Sequence, residues 1–563
     1  MKFKFSSYQI DLKKIFYVIL SLIVFDQGFC QTKTDVGFKI NMNEAINSGL
    51  FLPLGNDSIV VRGTFNGWKG NTFVLHDEDM DGIYEHTFDF DPNSGMVIEY
   101  KYVLIKSDGP EIWESHPNKN NPPYGNRILD LTKDTVDIFD FDKYALGIIG
   151  KEILFSNEEI KSDFKEFRKI LEEQHCCLYE YTSKQIFDSL FDAQYNLLTK
   201  SMTPVEFFRM LTPITAKIGC GHTGVWMPGG FWDSGINKLF PLKIRLIENN
   251  MIVEGSFENE SEINRGCIIE KINGVPASDI IREMQRNYSA DAMNIHFINS
   301  QIERRFSMIY ARRFGFKDKF QIKYHEPNKT ESKIAELNPA PVNTVRAYVF
   351  SNFNNPPLKM DIIKDNIAVM TIQTFGYYDR VPYFRSFIDS CFTLIKEKGI
   401  NNLILDLRGN DGGDPFCAAP LFSYLQKQPA PYFAAPYGKY AELAKPLPLP
   451  ENRYTGNLYT IIDGRCFSTN GHFCSLLKYH NIGKFVGTES GATYKCNAGK
   501  NMEIELPNTK IKLLIGRSTF AAAVEGMDKT KPIMPDYYVK ETLSDFLAEK
   551  DVMKDYIIEL INE

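Results

Sequence analysis

The sequence predicts a multidomain chain: an α/β core preceded by a helical cap and a strand-and-helix insert, with an all-β sandwich toward the amino terminus. Three patterns carry that prediction. From about residue 360 to 545 the runs IAVMTIQTF, NLILDL, LYTIID, FVGT and KLLIG alternate with helical stretches such as Val381 to Lys398, as in a largely parallel sheet. Residues 156 to 218 instead place apolar residues at three- and four-residue intervals. From about 35 to 145 the chain consists of short alternating runs separated by Gly, Asn and Asp turns.

At 563 residues the chain is long for one core, and its 43% hydrophobic and 24% charged content is that of an ordinary folded protein. A net charge of -7 argues against a nucleic-acid binder. Lys2, Lys4, Lys13 and Lys14 precede the apolar run Ile15 to Phe25, which ends before Gly28-Phe29-Cys30 and a polar start at Gln31. That is the layout of a secretory signal, too short to span a bilayer comfortably, so residues 1–30 read as a signal peptide and the chain as exported, periplasmic or extracellular. A lipoprotein anchored at Cys30 ranks second, because Phe29 fits the small-residue pattern before a lipidated cysteine poorly. No other stretch is long and apolar enough for a transmembrane helix, so none is expected in the mature chain. Ten cysteines do not make a dense disulfide framework, and neither paired CxxC units nor HExxH occurs, so no metal site is expected.

Residues 31–148 form the expected sandwich, with strands at IVVRGTFNGW (Ile59 to Trp68), GIYEHTFDF (Gly82 to Phe90) and VIEYKYVLI (Val97 to Ile105). Asp77, Asp79, Asp81 and Gly82 imitate half of a calcium loop, but Phe88 stands where the bidentate Glu belongs, so a solvated hairpin turn is expected. Residues 149–235 form the helical cap, with Thr203-Pro204 opening a helix and Glu206 in its first turn, ending at KIGCGHTGVW. Residues 236–345 form the insert, in which RGCIIEKINGVPASDIIREM reads as strand, turn and helix. Residues 346–563 form the α/β core.

Within that core, NNLILDLRGNDGG (Asn401 to Gly413) and LYTIIDGRCFSTNGHF (Leu458 to Phe473) each run a buried strand into a small-residue turn, where open α/β sheets present reactive groups. Ser468 sits where the second turn becomes a helix, so free amides and the positive end of the helix dipole can face an anion. It is the candidate nucleophile. A serine needs a base, and of nine histidines His222 stands out because CGHTG surrounds it with small residues. His472, four residues after Ser468, is the competitor within the helix, and a position near the helix end makes His480 a surface residue.

The segment DLRGNDGG (Asp406 to Gly413) with the later serine turn resembles peptidase family S41, the tail-specific, C-terminal processing and tricorn-core serine peptidases, over roughly residues 150 to 545. The resemblance implies a ClpP/crotonase-like core, a PDZ-like insert that adds a peptide as an extra strand, and no cofactor. It assigns His222 as base, and Glu525, ahead of Pro535-Asp536, as the acid that orients it. Gly413, with Gly412, and Thr469 become the backbone oxyanion donors, glycine allowing the backbone to approach the substrate. Asp406 and Arg408 are expected to secure the strand end and Asp414 to be solvated. The processing branch uses a lysine base instead, making Ser468-Lys495 the rival dyad. Gly221 and Gly471 depart from the family, standing where members carry Ser and Glu; Thr223 is a substitute relay for the first. FNGW, the YKY strand and Trp113 to Arg127 resemble starch-binding immunoglobulin-like modules, in which exposed Trp68 and Trp113 would stack on sugar rings; core tryptophans in a spacer are the other reading.

Two functions follow: an exported serine endopeptidase acting on peptides or unfolded protein tails through an acyl-enzyme on Ser468, or a non-catalytic peptide- and glycan-binding protein that keeps the fold.

Overall fold

The computed structural model describes residues 34–47, 50–90, 97–107, 111–114, 126–130, 139–140, 154–227, 238–257, 261–354, 358–364, 366–499 and 501–563. The expected signal segment and Cys30 lie outside them. The chain divides into two compact units, Met1–Leu146 and Gly147–Glu563.

In the first unit β1 (Thr34–Asn41), β2 (Ser58–Gly63), β3 (Val74–Leu75), β4 (Ile83–Phe90), β5 (Val97–Ile105), β6 (Ile112–Trp113), β7 (Arg127–Asp130) and β8 (Phe139–Asp140) make two sheets. Their orders are β4-β1-β8 and β3-β2-β5-β6, with β7 also on β5. Val36, Phe38 and Ile40 alternate along β1 into the core, the period-two burial of a strand with one wet face. Trp68 and Trp113 are half-buried rather than open, their ring centroids 6.3 Å apart, and the Arg62 guanidinium lies 5.2 Å from the centre of the Trp113 ring. The Asp77–Gly82 segment is a capped turn. Asp77 accepts from the amides of Asp81 (3.1 Å) and Gly82 (3.0 Å), and Asp81 accepts from that of Ile83 (2.7 Å).

The second unit opens with α1 (Asn157–Gln174), α2 (Lys184–Asn196) and α3 (Pro204–Lys217), whose N-caps Ser156, Ser183 and Thr203 accept the helix amides. After α3 the chain makes a short turn into β9 (Gly224–Trp226). An antiparallel sheet follows, ordered β10 (Leu242–Ile247), β11 (Asn250–Ser256), β12 (Ile268–Ile272), β13 (Phe320–His325) and β14 (Ser332–Leu337), with Val275–Pro276 pairing on β12. Helices α4 (Ala277–Arg286) and α5 (Ile295–Phe314) cover it, burying Ile280, Met284, Ile298, Ile302 and Phe306 in one cluster with Ile244, Val253 and Ile322.

The central sheet contains β15 (Leu358–Lys364), β16 (Ile367–Ile372), β17 (Asn402–Asp406), β18 (Asn457–Ile462) and β19 (Lys484–Gly487) in that order, closed by β24 (Tyr537–Tyr538). All its pairs are parallel except β15 with β16. Both faces are covered, which explains why NLILD and IAVMTI are apolar almost throughout. Ala368, Met370, Ile372, Leu403 and Leu405 pack against α6 (Val381–Glu397), α7 (Pro415–Leu425) and α8 (Thr469–Tyr479). Ile367, Val369, Ile404, Ile461 and Val486 face the other way, onto Ile557 of the C-terminal helix α9 (Val552–Asn562). Between β19 and β24 lie β20 (Lys495–Gly499), β21 (Met502–Glu505), β22 (Lys512–Ile515) and β23 (Ser518–Ala521). β22 pairs with β9 through Leu514↔Gly224 to Lys512↔Trp226, which ties the end of the helical cap to the core.

Candidate active site

The two glycine-bearing turns converge at the carboxyl ends of β17 and β18. Arg408 bonds Asp406 and Asp551, securing the end of β17 to the start of α9. Asp414 departs from expectation: it is 1% exposed and caps α7, its Oδ1 accepting from the Phe416 amide at 2.9 Å. The Asp414-Pro415 pair is an N-cap followed by proline in the first helical turn, a sequence signal for this role.

Ser468 caps α8 with φ 55° and ψ -124°, a conformation that costs a non-glycine residue about 1–3 kcal/mol and persists where surrounding contacts enforce it. Those contacts are present. The Asn410 carbonyl accepts from Asn470 Nδ2 (3.1 Å) and from the Phe467 amide (3.3 Å), and Thr469 Oγ1 donates to the Gly413 carbonyl (2.6 Å). Gly412, at φ +99°, presses against this elbow so closely that a Cβ would stand 2.7 Å from the Phe467 oxygen and 2.8 Å from Ser468 Cβ.

His222 arrives from the turn between α3 and β9, its Nε2 3.1 Å from Ser468 Oγ. Its ring stacks on Phe467 (4.7 Å between centroids, 22°), and Phe467 stacks in turn on Phe297 (4.2 Å, 28°). The departure at Gly221 has a steric cause: a Cβ there would lie 2.5 Å from the end of the Phe467 ring. Gly471 is equally constrained, 2.5 Å from Ala492 Cβ. The Gly221 amide donates to Asp291 Oδ1 (2.8 Å), a buried carboxylate whose pKa burial raises to about 7. Asp291 was not identifiable from the sequence; it follows β-insert helix α4 in a short turn with no motif around it. Thr223 is committed elsewhere. The Cys177 amide donates to His175 Nδ1 (3.1 Å), so His175 Nε2 carries the hydrogen given to Thr223 Oγ1 (2.9 Å), and Thr223 donates onward to Cys220 Sγ (3.3 Å). Thr223 is therefore no relay for His222.

Burial draws the His222 pKa down to about 4, so the ring is neutral and Nε2 can accept the Ser468 proton. Its Nδ1 is buried and meets no partner among the described residues. Glu525 is not brought to it: the side chain is exposed on the loop after β23, without a hydrogen bond or ion pair among the described residues. Lys495 does not serve as the alternative base either. Burial opposes its charge, but the hydrogen bond and charge of Glu180 outweigh that and hold its pKa above the ordinary lysine value. His472 is buried with Nε2 3.5 Å from Cys496 Sγ, its pKa drawn down to about 4 by burial. His480 is half-buried against Phe422 rather than on the surface.

Of the three proposed oxyanion donors, the Gly412 amide is consumed by Asn410 Oδ1 (2.9 Å), because the turn folds back on its own asparagine. Gly413 and Thr469 keep amides that donate to nothing among the described residues. Beside Ser468 and His222 opens a cavity of about 580 Å³. The nine described cysteines are all free thiols.

A strained serine on a strand-to-helix elbow, a neutral imidazole at hydrogen-bond distance and unspent amides beside them are the groups that acyl transfer to a serine requires. Residues 366–539, which contain both turns and Ser468, match peptidase family S41, and with that match the chain is a serine-type peptidase. Its fold is similar to that of mature CPAF (TM-score 0.52, 12% identity, covering 72% of this chain and 96% of that one). It is likewise similar to mature CPAF complexed with lactacystin (TM-score 0.53, 13% identity, 72% and 97%). No curated protein matches the sequence.

Proposed function

We propose that the chain hydrolyses peptide bonds of peptides or unfolded protein tails through an acyl-enzyme on Ser468, with His222 as its base. The observation that carries this reading is the 3.1 Å contact between His222 Nε2 and Ser468 Oγ, formed across 246 residues of sequence. As Oγ attacks the scissile carbonyl, its proton passes to Nε2, and the oxyanion that forms takes hydrogen bonds from the Gly413 and Thr469 amides. The same Nε2 proton then goes to the departing amine, and a water deprotonated by the freed imidazole releases the acyl group. Export fits the basic and apolar layout from Lys2 to Phe25, and no helix among the described residues is long and apolar enough to cross a membrane. The sheet β10–β14 with α4 is the candidate PDZ-like peptide dock, with β14 offering an edge strand.

The non-catalytic alternative does not account for a strained serine held on a neutral imidazole. Labelling with a fluorophosphonate probe tests the choice. Modification of Ser468, lost in Ser468→Ala and accompanied by cleavage of an unfolded protein such as reduced casein, supports the peptidase; peptide capture without labelling or turnover sinks it.

A further inference from the structure

We infer that the cavity beside Ser468 contains a carboxylate subsite built on Arg305, so that the enzyme selects peptides bearing a carboxylate near the scissile bond. The inference rests on the proposed peptidase reading.

Helix α5 lines the cavity with Gln301, Arg304, Arg305, Ile309, Arg312 and Arg313, while His222 and Ser468 line it from other elements. Arg465 lines it as well, and among the described residues Asp411 is the only carboxylate that does. The charges do not balance. Arg304 gives Nη1 to Asp411 (2.6 Å) and its Nε and Nη2 to the Val349 carbonyl (3.1 and 2.7 Å). Arg465 shares the same Asp411 (2.9 Å), and Arg313 is bound to Glu283. Arg305 makes no ion pair with a carboxylate among the described residues; Asp411, already bound by Arg304 and Arg465, feels its charge at longer range. Among the described residues the one hydrogen bond of Arg305 goes from Nη1 to the Tyr288 hydroxyl at 3.3 Å, Nη2 donates to nothing, and Nε is buried without a partner.

A guanidinium left with most of its donors unspent in a cavity is matched by an anion that can take two parallel hydrogen bonds, and a carboxylate has that geometry. The neighbours reinforce the demand. Burial draws the Arg312 pKa down to about 10, with Tyr288 acting upward and Arg305 downward. Burial likewise draws Arg304 to about 10, with Arg465 adding to the effect. These cations lower one another's pKa, so an arriving carboxylate meets a favourable field. The helix is also irregular at this residue: Arg305 has φ -118° and ψ 18°, outside helical values in the middle of α5. An acidic side chain and the free terminus of a peptide carry the same group, and the two are separated by experiment.

The test measures binding to the Ser468→Ala chain, so that it does not depend on turnover. Fluorescein-labelled peptides of random sequence are compared as pairs that differ only in a free or amidated C-terminus, or in Glu against Gln at one internal position. The expected result is at least tenfold tighter binding of the acid member of one class of pair, which identifies the source of the carboxylate. Adding Arg305→Gln should bring that ratio to within twofold, and Arg305→Lys should retain part of it, since charge survives and the fork does not. The inference is overturned if no pair differs in Ser468→Ala, a result that needs no Arg305 variant to fold, or if the ratio survives Arg305→Gln. Failure of a fluorophosphonate to label Ser468 in the unmodified chain would instead sink the peptidase reading, leaving the binding ratio to decide the subsite.

Discussion

Lowering the pH tests the base directly. His222 titrates at about 4 against 6.5 for an ordinary histidine, because burial disfavours its charged form. The ring is partly exposed through the cavity, which relieves some of that cost, so the acid limb of kcat/KM falls between 4 and 6.5. At pH 5 a base of pKa 4 is about nine-tenths neutral, while one of pKa 6.5 is about 3% neutral, a roughly thirtyfold difference in competent enzyme. Protonation also acts on stability. His175, His222 and His472 are all drawn to about 4 by burial, so the unfolded chain binds protons first. Their contribution is complete above 6.5 and lost as pH falls toward 4, at about 2 kcal/mol each by pH 5. The assay is therefore kcat/KM on a fluorogenic peptide from pH 4 to 8, with tryptophan fluorescence recorded at each point. A half-maximal rate at or above pH 6.5, with native fluorescence intact, would refute His222 as a buried neutral base.

His222→Ala should lower kcat by roughly 10²–10⁴ while Glu525→Gln changes it less than tenfold; equal losses, read from steady-state kinetics, would restore Glu525 to the machinery. Gly221→Ala drives a Cβ to 2.5 Å from the Phe467 ring, and should cost about 1–3 kcal/mol in denaturant unfolding as well as slow fluorophosphonate labelling. Asp291→Ala strips the Gly221 amide of its acceptor; kcat should fall at least tenfold with KM nearly constant, and Asp291→Asn, which keeps an oxygen acceptor, should recover most of it.

The strands of the core were legible because both faces of β17 and β18 are buried, which demands continuous apolar runs, and because close backbone approach at Gly412 excludes a side chain. Ser468 could be located from the same logic, as the residue that ends such a run and begins a helix. His222 was accessible only through the small residues around it and the family resemblance, since no local spacing encodes a contact across 246 residues. What stayed hidden depends on partners far apart in sequence. Lys495 reads as a candidate base until Glu180, 315 residues away, is seen to hold its charge. Asp291 and Arg305 sit in segments whose pattern is otherwise ordinary, and their significance comes from a buried amide and a missing carboxylate.

The elbow also explains why three strand ends are required to hold one hydroxyl. Asn410 Nδ2 donates to the Ile372 carbonyl at the end of β16, while its Oδ1 takes the Gly412 amide and its carbonyl takes Asn470 Nδ2 from the first turn of α8. One side chain and its backbone thus link β16, the turn after β17 and the helix after β18. Neither Asn410 nor Asn470 is exposed, so breaking this network would leave buried polar groups unpaired at about 1–3 kcal/mol each. That is comparable to the backbone strain at Ser468, and it makes relaxation of the elbow unfavourable without unfolding the turn. His222 completes the arrangement from outside, through Phe467: the residue before Ser468 stacks on the His222 ring and inserts into the cluster shared with α5. His222, Ser468 and the helix carrying Arg305 are therefore held by contacts to a single aromatic ring, so the cavity and the Ser468–His222 contact beside it share one support.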